Sequence, residues 1–521
     1  MTERTYALSP DCGEKFYNQA DYCIGTGRMG LALHKEYYDQ LKLVQEHIGF
    51  SHIRGHGLFC DDMAIYQEYK NAQGETVTEY NFTYLDRVLD SYQELGLRPF
   101  LELGFMPEKM ASGDQTVFYW KGNTTPPKDY AQWRALVQAL LRHLLERYGQ
   151  DALAWPLEVW NEPNLPGFWK GADKEEYFRL FSETIAAVKE VDSRFTVGGP
   201  AICGVKDVEW MQDFMEYCHQ NSLPLDFVTR HFYTFDDPEF VGRYSYGGLR
   251  DPEISLEELR RSREIIDSYP EYKGLPMHIT EFNTSYSPDS PVHDTTRNAA
   301  YIARLLACLG EMNESYSYWT FGDVFEEKGV PFTPFHGGFG LVANGCIPKP
   351  TFWTFAFFKE LQGQCLLRNR EAVAVQRPDG TVAGVAWNMS QETKGETSLT
   401  FTLPAQGEWC LLTKTVDEDH ANPLKVWHDL GEPRQLTAAQ TALLQESAQP
   451  LVSTQRLTAE DGQLSFTLRL KEDAVVSFPP PSRATAATIT AAPWWAKTPY
   501  KENGEAAAAA SFRAQKSPRQ P

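Results

Sequence analysis

The sequence predicts a protein of the α/β class, a (β/α)8 TIM barrel with an accessory β-sandwich domain, and three observations carry that expectation. Between about residues 20 and 360, short apolar runs alternate with amphipathic stretches of helical period. After Leu361 the helical period gives way to short runs of alternating apolar and polar residues. The 521 residues exceed what one hydrophobic core usually organises, so at least two domains are expected.

In chain order, strand-like runs fall at 21–25, 50–55, 98–104, 157–161, 196–201, 226–232, 277–282 and 317–321. Helical patterns lie between them at 36–47, 84–95, 130–148, 175–190, 255–269 and 296–311. In the fifth of these helices Leu256, Leu259, Ile265 and Ile266 form the apolar stripe. Ser255 is its expected N-cap, with Glu258 completing a capping box. Eight strand–helix units suit a barrel, whose usual length is about 250 residues or more with loop insertions. The runner-up is an open doubly wound sheet. It is disfavoured because GTGRMG at 25–30 reads as a structural turn, its glycines taken as lacking the GxGxxG spacing of a dinucleotide loop and no acidic residue following at the required distance.

The second domain is expected from runs at 372–376, 382–388, 398–403, 409–415, 464–470 and 474–478. Pro378-Asp379-Gly380 is a hairpin signal between the first two, and the N-terminal 6–8 adds a strand. The expected division is a catalytic barrel over 15–360 and a sandwich from 1–14 and 361–481. The Ala-, Thr- and Pro-rich 482–521 is read as an irregular or disordered tail.

Composition excludes several partners. A formal charge of -21 and a pI of about 5.1 argue against nucleic acid and against anionic membranes, which need clustered Lys and Arg. No apolar run of about 18 residues is present, so no membrane span is expected. The start, MTERTYALSPDC, lacks the basic and apolar regions of a secretory signal. Nine scattered cysteines, without metal-finger spacing, suit reduced thiols, and the expected location is cytoplasmic. The Asn81 and Asn388 glycosylation patterns are then chance matches. His and Cys are too scattered for a metal cluster, and no cofactor is expected.

Two segments carry the chemistry. Trp160-Asn161-Glu162-Pro163-Asn164 puts a carboxylate at the C-terminal mouth of the fourth strand, where barrel enzymes hold their active sites. Pro163 is expected to stop that strand. Met277-His278-Ile279-Thr280-Glu281-Phe282-Asn283 does the same three strands later. A lone strand-end glutamate is most often merely solvated, so neither carries the reading alone. As a pair across one mouth they suit glycoside hydrolysis, in which one acid protonates the leaving oxygen and the other attacks the anomeric carbon or activates water.

With these and several longer stretches, the chain resembles the retaining glycosidases of the large barrel clan, and within it family 39, the β-xylosidases. The stretches are IRGHGLF at 53–59, TVFYWKGN at 116–123, WNEPN at 160–164, DFVTRHFYT at 226–234, ITEFN at 279–283 and SYWTFGDVFEE at 317–327. HGGFGL at 336–341 and KPTFWTF at 349–355 add to them, and the resemblance runs to about residue 480. It implies a barrel with a β-sandwich, retention of configuration, and a tetramer that releases xylose from xylooligosaccharides.

Residue by residue, the resemblance implies Glu162 as acid/base and Glu281 as nucleophile. Asn161 is then expected to bond the sugar 2-hydroxyl and Tyr233 the nucleophile carboxylate. His56 and Glu327 are expected on sugar hydroxyls, Trp319 under the pyranose, and Phe118 and Phe168 along the subsite wall. His231 is either a substrate ligand or a hydrogen-bonded core histidine, and Arg54 either supports a carboxylate or forms a buried structural ion pair. Glu162 must begin protonated, so the Glu281 charge and desolvation by Trp160 and Phe168 are expected to raise its pKa. Other readings on the same scaffold are an α-L-iduronidase-like, β-glucosidase or arabinosidase activity. A non-catalytic carbohydrate-binding protein is the alternative from another class.

Overall fold

A computed structural model describes residues 2–236 and 238–478 and the backbone of 482 and 483. Most of the expected tail lies outside the described residues.

Eight parallel strands close on themselves: β1 Cys23–Thr26, β2 His52–Gly55, β3 Arg98–Leu103, β4 Leu157–Val159, β5 Val197–Ile202, β6 Phe227–Tyr233, β7 Met277–Asn283 and β8 Ser315–Tyr318. Each pairs with the next in sequence, and Tyr318 of β8 pairs with Ile24 of β1 to complete the ring. The strands are buried almost end to end; β5 and β7 have no exposed residue. That follows from a sheet covered by helices outside and filled by side chains inside, and it explains why these segments read as continuous apolar runs.

The covering helices are α1 Lys35–His47, α2 Thr83–Glu94, α3 Tyr130–Tyr148, α4 Lys174–Val191, α5 Asp207–Gln220, α6 Pro252–Asp267, α7 Thr296–Leu309 and α8 Pro350–Lys359. Two of them, α5 and α8, are absent from the sequence expectation. The α5 signal was present: Trp210, Met211, Phe214, Met215 and Cys218 make an ordinary buried helical stripe. Helix α8, PTFWTFAFFK, is apolar on nearly every side and has no stripe to read, because both its faces are covered.

Helix α6 begins three residues before the expected cap. Asp251 accepts from the Glu253 N–H at 2.8 Å and Pro252 occupies the first turn, so Ser255 is an interior, buried residue. GTGRMG does space its glycines as a dinucleotide loop does. It nevertheless leads into the 3-10 turn Met29–Leu33, not into a helix N-terminus.

The remaining chain builds two facing sheets. One holds β9 Gln364–Arg368, β10 Ala372–Gln376, β11 Val382–Trp387, β13 Glu408–Val416, β14 Leu451–Thr458, β16 Val475–Phe478 and β17 Ser482–Arg483. The other joins β12 Thr397–Pro404 and β15 Gln463–Leu470 to the N-terminal strand Thr2–Ala7, which runs parallel to β12. Leu399, Phe401, Phe466, Leu468, Val476 and Phe478 fill the space between them with Leu8. Helical periodicity does not vanish beyond Leu361, as expected from sequence: α9 Pro423–Asp429 and α10 Ala438–Ser447 interrupt the strands. Both are short, and α10 buries only Leu444, so neither shows a stripe.

All nine cysteines are free thiols. Among the described residues, no helix is long and apolar enough to cross a membrane.

Candidate active site

The upper barrel interior is polar, and one guanidinium organises it. Arg54 points inward from β2 and is fully buried. Its Nε donates to Glu158 Oε2 at 2.8 Å, its Nη1 to Glu281 Oε1 at 2.5 Å and its Nη2 to Asn161 Oδ1 at 3.0 Å. Nη2 also lies 2.9 Å from Glu102 Oε2. Burial alone works against the charged guanidinium, but Glu158, Glu102 and Glu281 outweigh it and raise its pKa. Glu102 and Glu158 were missed from sequence. The available signal was an acidic residue inside an otherwise apolar strand, PFLELG and PLEVW.

Glu162 is delivered by an irregular backbone. Strand β4 ends at Val159, well before Pro163, because Trp160 and Glu162 adopt φ of 71° and 44° in the left-handed region. Trp160 is anchored there by Nε1 donating to the Phe168 carbonyl at 2.8 Å, and the Glu162 N–H donates to the Ala201 carbonyl at 2.9 Å. Non-glycine residues held in this region gather at functional sites, where surrounding structure enforces them.

Glu281 is aimed by a bulge. Arg230 pairs with Ile279 but His231 pairs with Glu281, leaving Thr280 as the extra residue. Thr280 and Glu281 can therefore both serve the interior: Thr280 Oγ1 donates to Glu158 Oε1 at 2.7 Å. Glu281 receives Arg54 on Oε1 and the Tyr233 phenol on Oε2 at 2.8 Å, a donor set that suits a carboxylate. Burial, then the charges of Glu281 and Glu162, push the Tyr233 pKa well above the usual phenol value, so it remains a donor.

The two carboxyl groups meet in the mouth. A carboxylate oxygen of Glu162 and one of Glu281 lie within 4.8 Å of each other, and both residues are buried. Burial first, and the Glu281 charge second, raise the Glu162 pKa well above the usual carboxyl value against the pull of Arg54. His231 is fully buried beside them, its Nδ1 2.7 Å from Glu162 Oε1 and 3.4 Å from Glu281 Oε2. Burial, then Arg54, His56 and Arg230, hold its pKa well below the usual imidazole value. The spacing of Glu162, His231 and Glu281 would also admit a cation, and the Nδ1–Glu162 hydrogen bond joins the imidazole to the carboxyl group.

The remaining candidate residues form the walls. His56 Nδ1 is held 2.6 Å from Glu102 Oε2, and its ring lies 4.6 Å from that of Trp319 and stacks on Phe118 at 5.9 Å. Phe118 meets Phe168 edge-on at 5.2 Å. Glu327 is half-buried, and burial followed by the charges of Glu281 and Glu162 raises its pKa well above the usual value. With Oδ1 committed to Arg54, Asn161 has its amide N–H groups left to donate.

Trp319 is backed by Phe325 and Phe339, and the segment carrying Phe339 is pinned by a second buried ion cluster. Lys349 Nζ lies 2.6 Å from both Asp294 and Asp323 and donates to the Gly338 carbonyl at 2.8 Å. This cluster also escaped the sequence reading, since its three members are scattered over 294–349.

The sequence profile of the glycosyl hydrolases family 39 matches residues 9–465. The chain belongs to glycosyl hydrolase family 39. This family 39 chain is 50% identical over 470 residues to a β-xylosidase of Geobacillus stearothermophilus, covering 89% of this chain and 92% of that one. Among solved structures it resembles the family 39 enzyme from Xanthomonas axonopodis pv. citri, with a TM-score of 0.84 at 30% identity, covering 92% and 98% of the two chains. A monomeric β-xylosidase from Caulobacter crescentus CB15 superposes with a TM-score of 0.81 at 31% identity over 93% of this chain and 100% of that one. Membership makes the family 39 chain a glycoside hydrolase on a (β/α)8 barrel.

Proposed function

We propose that this chain is a retaining exo-β-D-xylosidase that releases xylose from the non-reducing end of xylooligosaccharides. The observation that carries the mechanism is the approach of Glu162 and Glu281 to within 4.8 Å in unequal surroundings. Retaining glycosidases place their carboxyl groups roughly 5–5.5 Å apart, whereas inverting enzymes leave room for a water. The relatives from Geobacillus and Caulobacter, both β-xylosidases, support the choice of sugar.

In this reading Glu281 attacks the anomeric carbon while Glu162, kept protonated by burial, gives its proton to the departing oxygen. Once Glu281 is esterified its charge is gone. The Glu162 pKa then falls, and the same residue takes a proton from the incoming water. Asn161 bonds the sugar 2-hydroxyl, Arg54 supports the Glu281 carboxylate, Tyr233 tracks Glu281, and His56, Glu327, Trp319, Phe118 and Phe168 line the xylose.

The test is a 2-fluoroxylosyl aryl glycoside followed by intact mass and peptide mapping. The expected adduct is one 2-fluoroxylosyl unit esterified to Glu281. Labelling elsewhere, or turnover of aryl arabinosides or iduronides with no turnover of the xyloside, would reject the assignment; no turnover at all would favour a carbohydrate-binding protein. In a Glu281→Gly variant, azide should restore turnover and give the xylosyl azide of inverted configuration.

Three coarser expectations belong to the same proposal: a barrel domain over 15–360 with a sandwich from 1–14 and 361–481, a cytoplasmic location, and a tetramer. Sedimentation velocity tests the last against the monomeric state of the Caulobacter relative.

A further inference from the structure

Five residues beyond Glu327, the loop Lys328-Gly329-Val330-Pro331-Phe332 carries Phe332 to the surface, where 48% of it is exposed. Two guanidiniums share this ring. Arg243, at the turn of the hairpin formed by Glu239–Val241 and Tyr244–Tyr246, has its Cζ 4.2 Å from the ring centroid. Arg434, from the connection between α9 and α10, has its Cζ 5.3 Å away. Neither has a carboxylate partner among the described residues, whereas the half-buried Arg250 pairs with Glu258.

Such an arrangement is unusual in a chain of net charge -21. Cation–π attraction explains why each arginine lies on the ring. It does not explain bringing two like charges to one ring, which is unfavourable until an anion joins them. A planar guanidinium fork recognises carboxylates, and an exposed aromatic face takes the apolar side of a sugar.

Phe332 and Arg434 also line a cavity of about 430 Å³ with Pro331, Thr333 and Asn344. Glu36 lines it too, but its Oε1 already accepts from the Gly345 N–H at 2.6 Å and from Gln40 at 3.2 Å. The patch is tied to the site's rim through Lys328, whose Nζ lies over Phe240 of the same hairpin at 5.5 Å and 2.9 Å from Asp289. Five residues reach at most about 18 Å, so Phe332 is within a few sugar units of Glu327.

We propose that Arg243, Phe332 and Arg434 form a binding site for the carboxylate of a uronic acid carried as a side group on the leaving-group portion of the oligosaccharide. This rests on the xylosidase reading, with the branched sugar as its preferred substrate class. The xylose to be cleaved occupies the buried mouth, and the carboxylate of the charged branch pairs with the guanidiniums held on Phe332.

The test compares linear xylotriose with xylotriose bearing one glucuronosyl branch on a unit other than the non-reducing end. The full chain, Arg243→Gln, Arg434→Gln and the double variant are assayed at 20 and 500 mM NaCl, where the Debye length is about 21 and about 4 Å respectively. At low salt the branched substrate should show a KM about three- to tenfold lower than the linear one. High salt or the double substitution should remove that gain, with kcat and linear turnover unchanged. An equal ratio in all proteins, a preference that survives 500 mM NaCl, or a change in oligomeric size on substitution would overturn the proposal. Protection of the site by free glucuronate alone, with no preference between the oligosaccharides, would overturn it as well. Failure to cleave linear xylotriose in the unmodified chain would count against the xylosidase reading instead.

Discussion

His231 Nδ1 stands 2.7 Å from Glu162 Oε1 and 3.4 Å from Glu281 Oε2, so one imidazole nitrogen bridges the two carboxyl groups proposed for catalysis. Because burial and nearby cations keep that imidazole neutral, it orders Glu162 without titrating in the working range. His231→Asn, which keeps a donor, should lower kcat/KM on poor leaving groups about tenfold. His231→Ala should lower it about tenfold further, the worth of a hydrogen bond between neutral groups. Neither substitution should delete a limb of the pH–rate profile; loss of a limb near pH 6.5 would show that His231 titrates.

The raised Glu162 pKa ties activity to stability. A carboxyl whose folded pKa exceeds its unfolded value favours folding below the unfolded pKa, and that contribution is lost as pH rises through the folded pKa. Activity of the protonated acid disappears over the same interval. Glu162→Gln should therefore match the parent Tm below about pH 4 and exceed it increasingly at higher pH. Its turnover of poor leaving groups should fall about 10²–10⁴-fold. Calorimetry across pH measures the first effect, and a Tm difference independent of pH would refute it.

Tyr233 donates to Glu281 at 2.8 Å, and a hydrogen bond to a charged group contributes about 1.5–3 kcal/mol. Tyr233→Phe is expected to lower kcat by about 10- to 100-fold while leaving the fold intact, since the ring and its burial are kept. Steady-state kinetics with circular dichroism separates the two. An unchanged kcat would mean that the phenol does not follow Glu281 through the reaction.

Arg54 serves Glu102, Glu158, Glu281 and Asn161 at once. Arg54→Met leaves buried carboxylates unpaired and should cost about 3–5 kcal/mol in urea unfolding. Arg54→Lys restores the charge but not the planar fork, so it should recover only part of that stability and little activity. Full recovery by lysine would show that charge alone matters there.

Much of this was legible before any coordinates. All eight barrel strands fall where short apolar runs end in Gly, Pro or polar residues, because a strand buried on both faces leaves that plain a trace. Glu162 and Glu281 stood out as single acids at strand ends. What stayed hidden depends on three-dimensional convergence. The bulge at Thr280 has no local sequence mark, and Lys349 finds Asp294 and Asp323 only after the chain has closed. Helix α8 is concealed by being apolar all round.

The parallel pairing of Thr2–Ala7 with Thr397–Pro404 has a topological consequence. Leu8 is buried in the sandwich core, so the chain enters the barrel from the sandwich and returns to it after α8. The catalytic ring is thus an insertion within the sandwich, between Thr2–Ala7 of one sheet and β9 of the other, and its two ends meet where the Ser9 N–H donates to the Leu366 carbonyl at 3.1 Å. Removing residues 361 onward would strip the first strand of its sheet and Leu8 of its core. The sandwich acts as a clasp, and a fraying barrel would have to unlatch it before either end could come free.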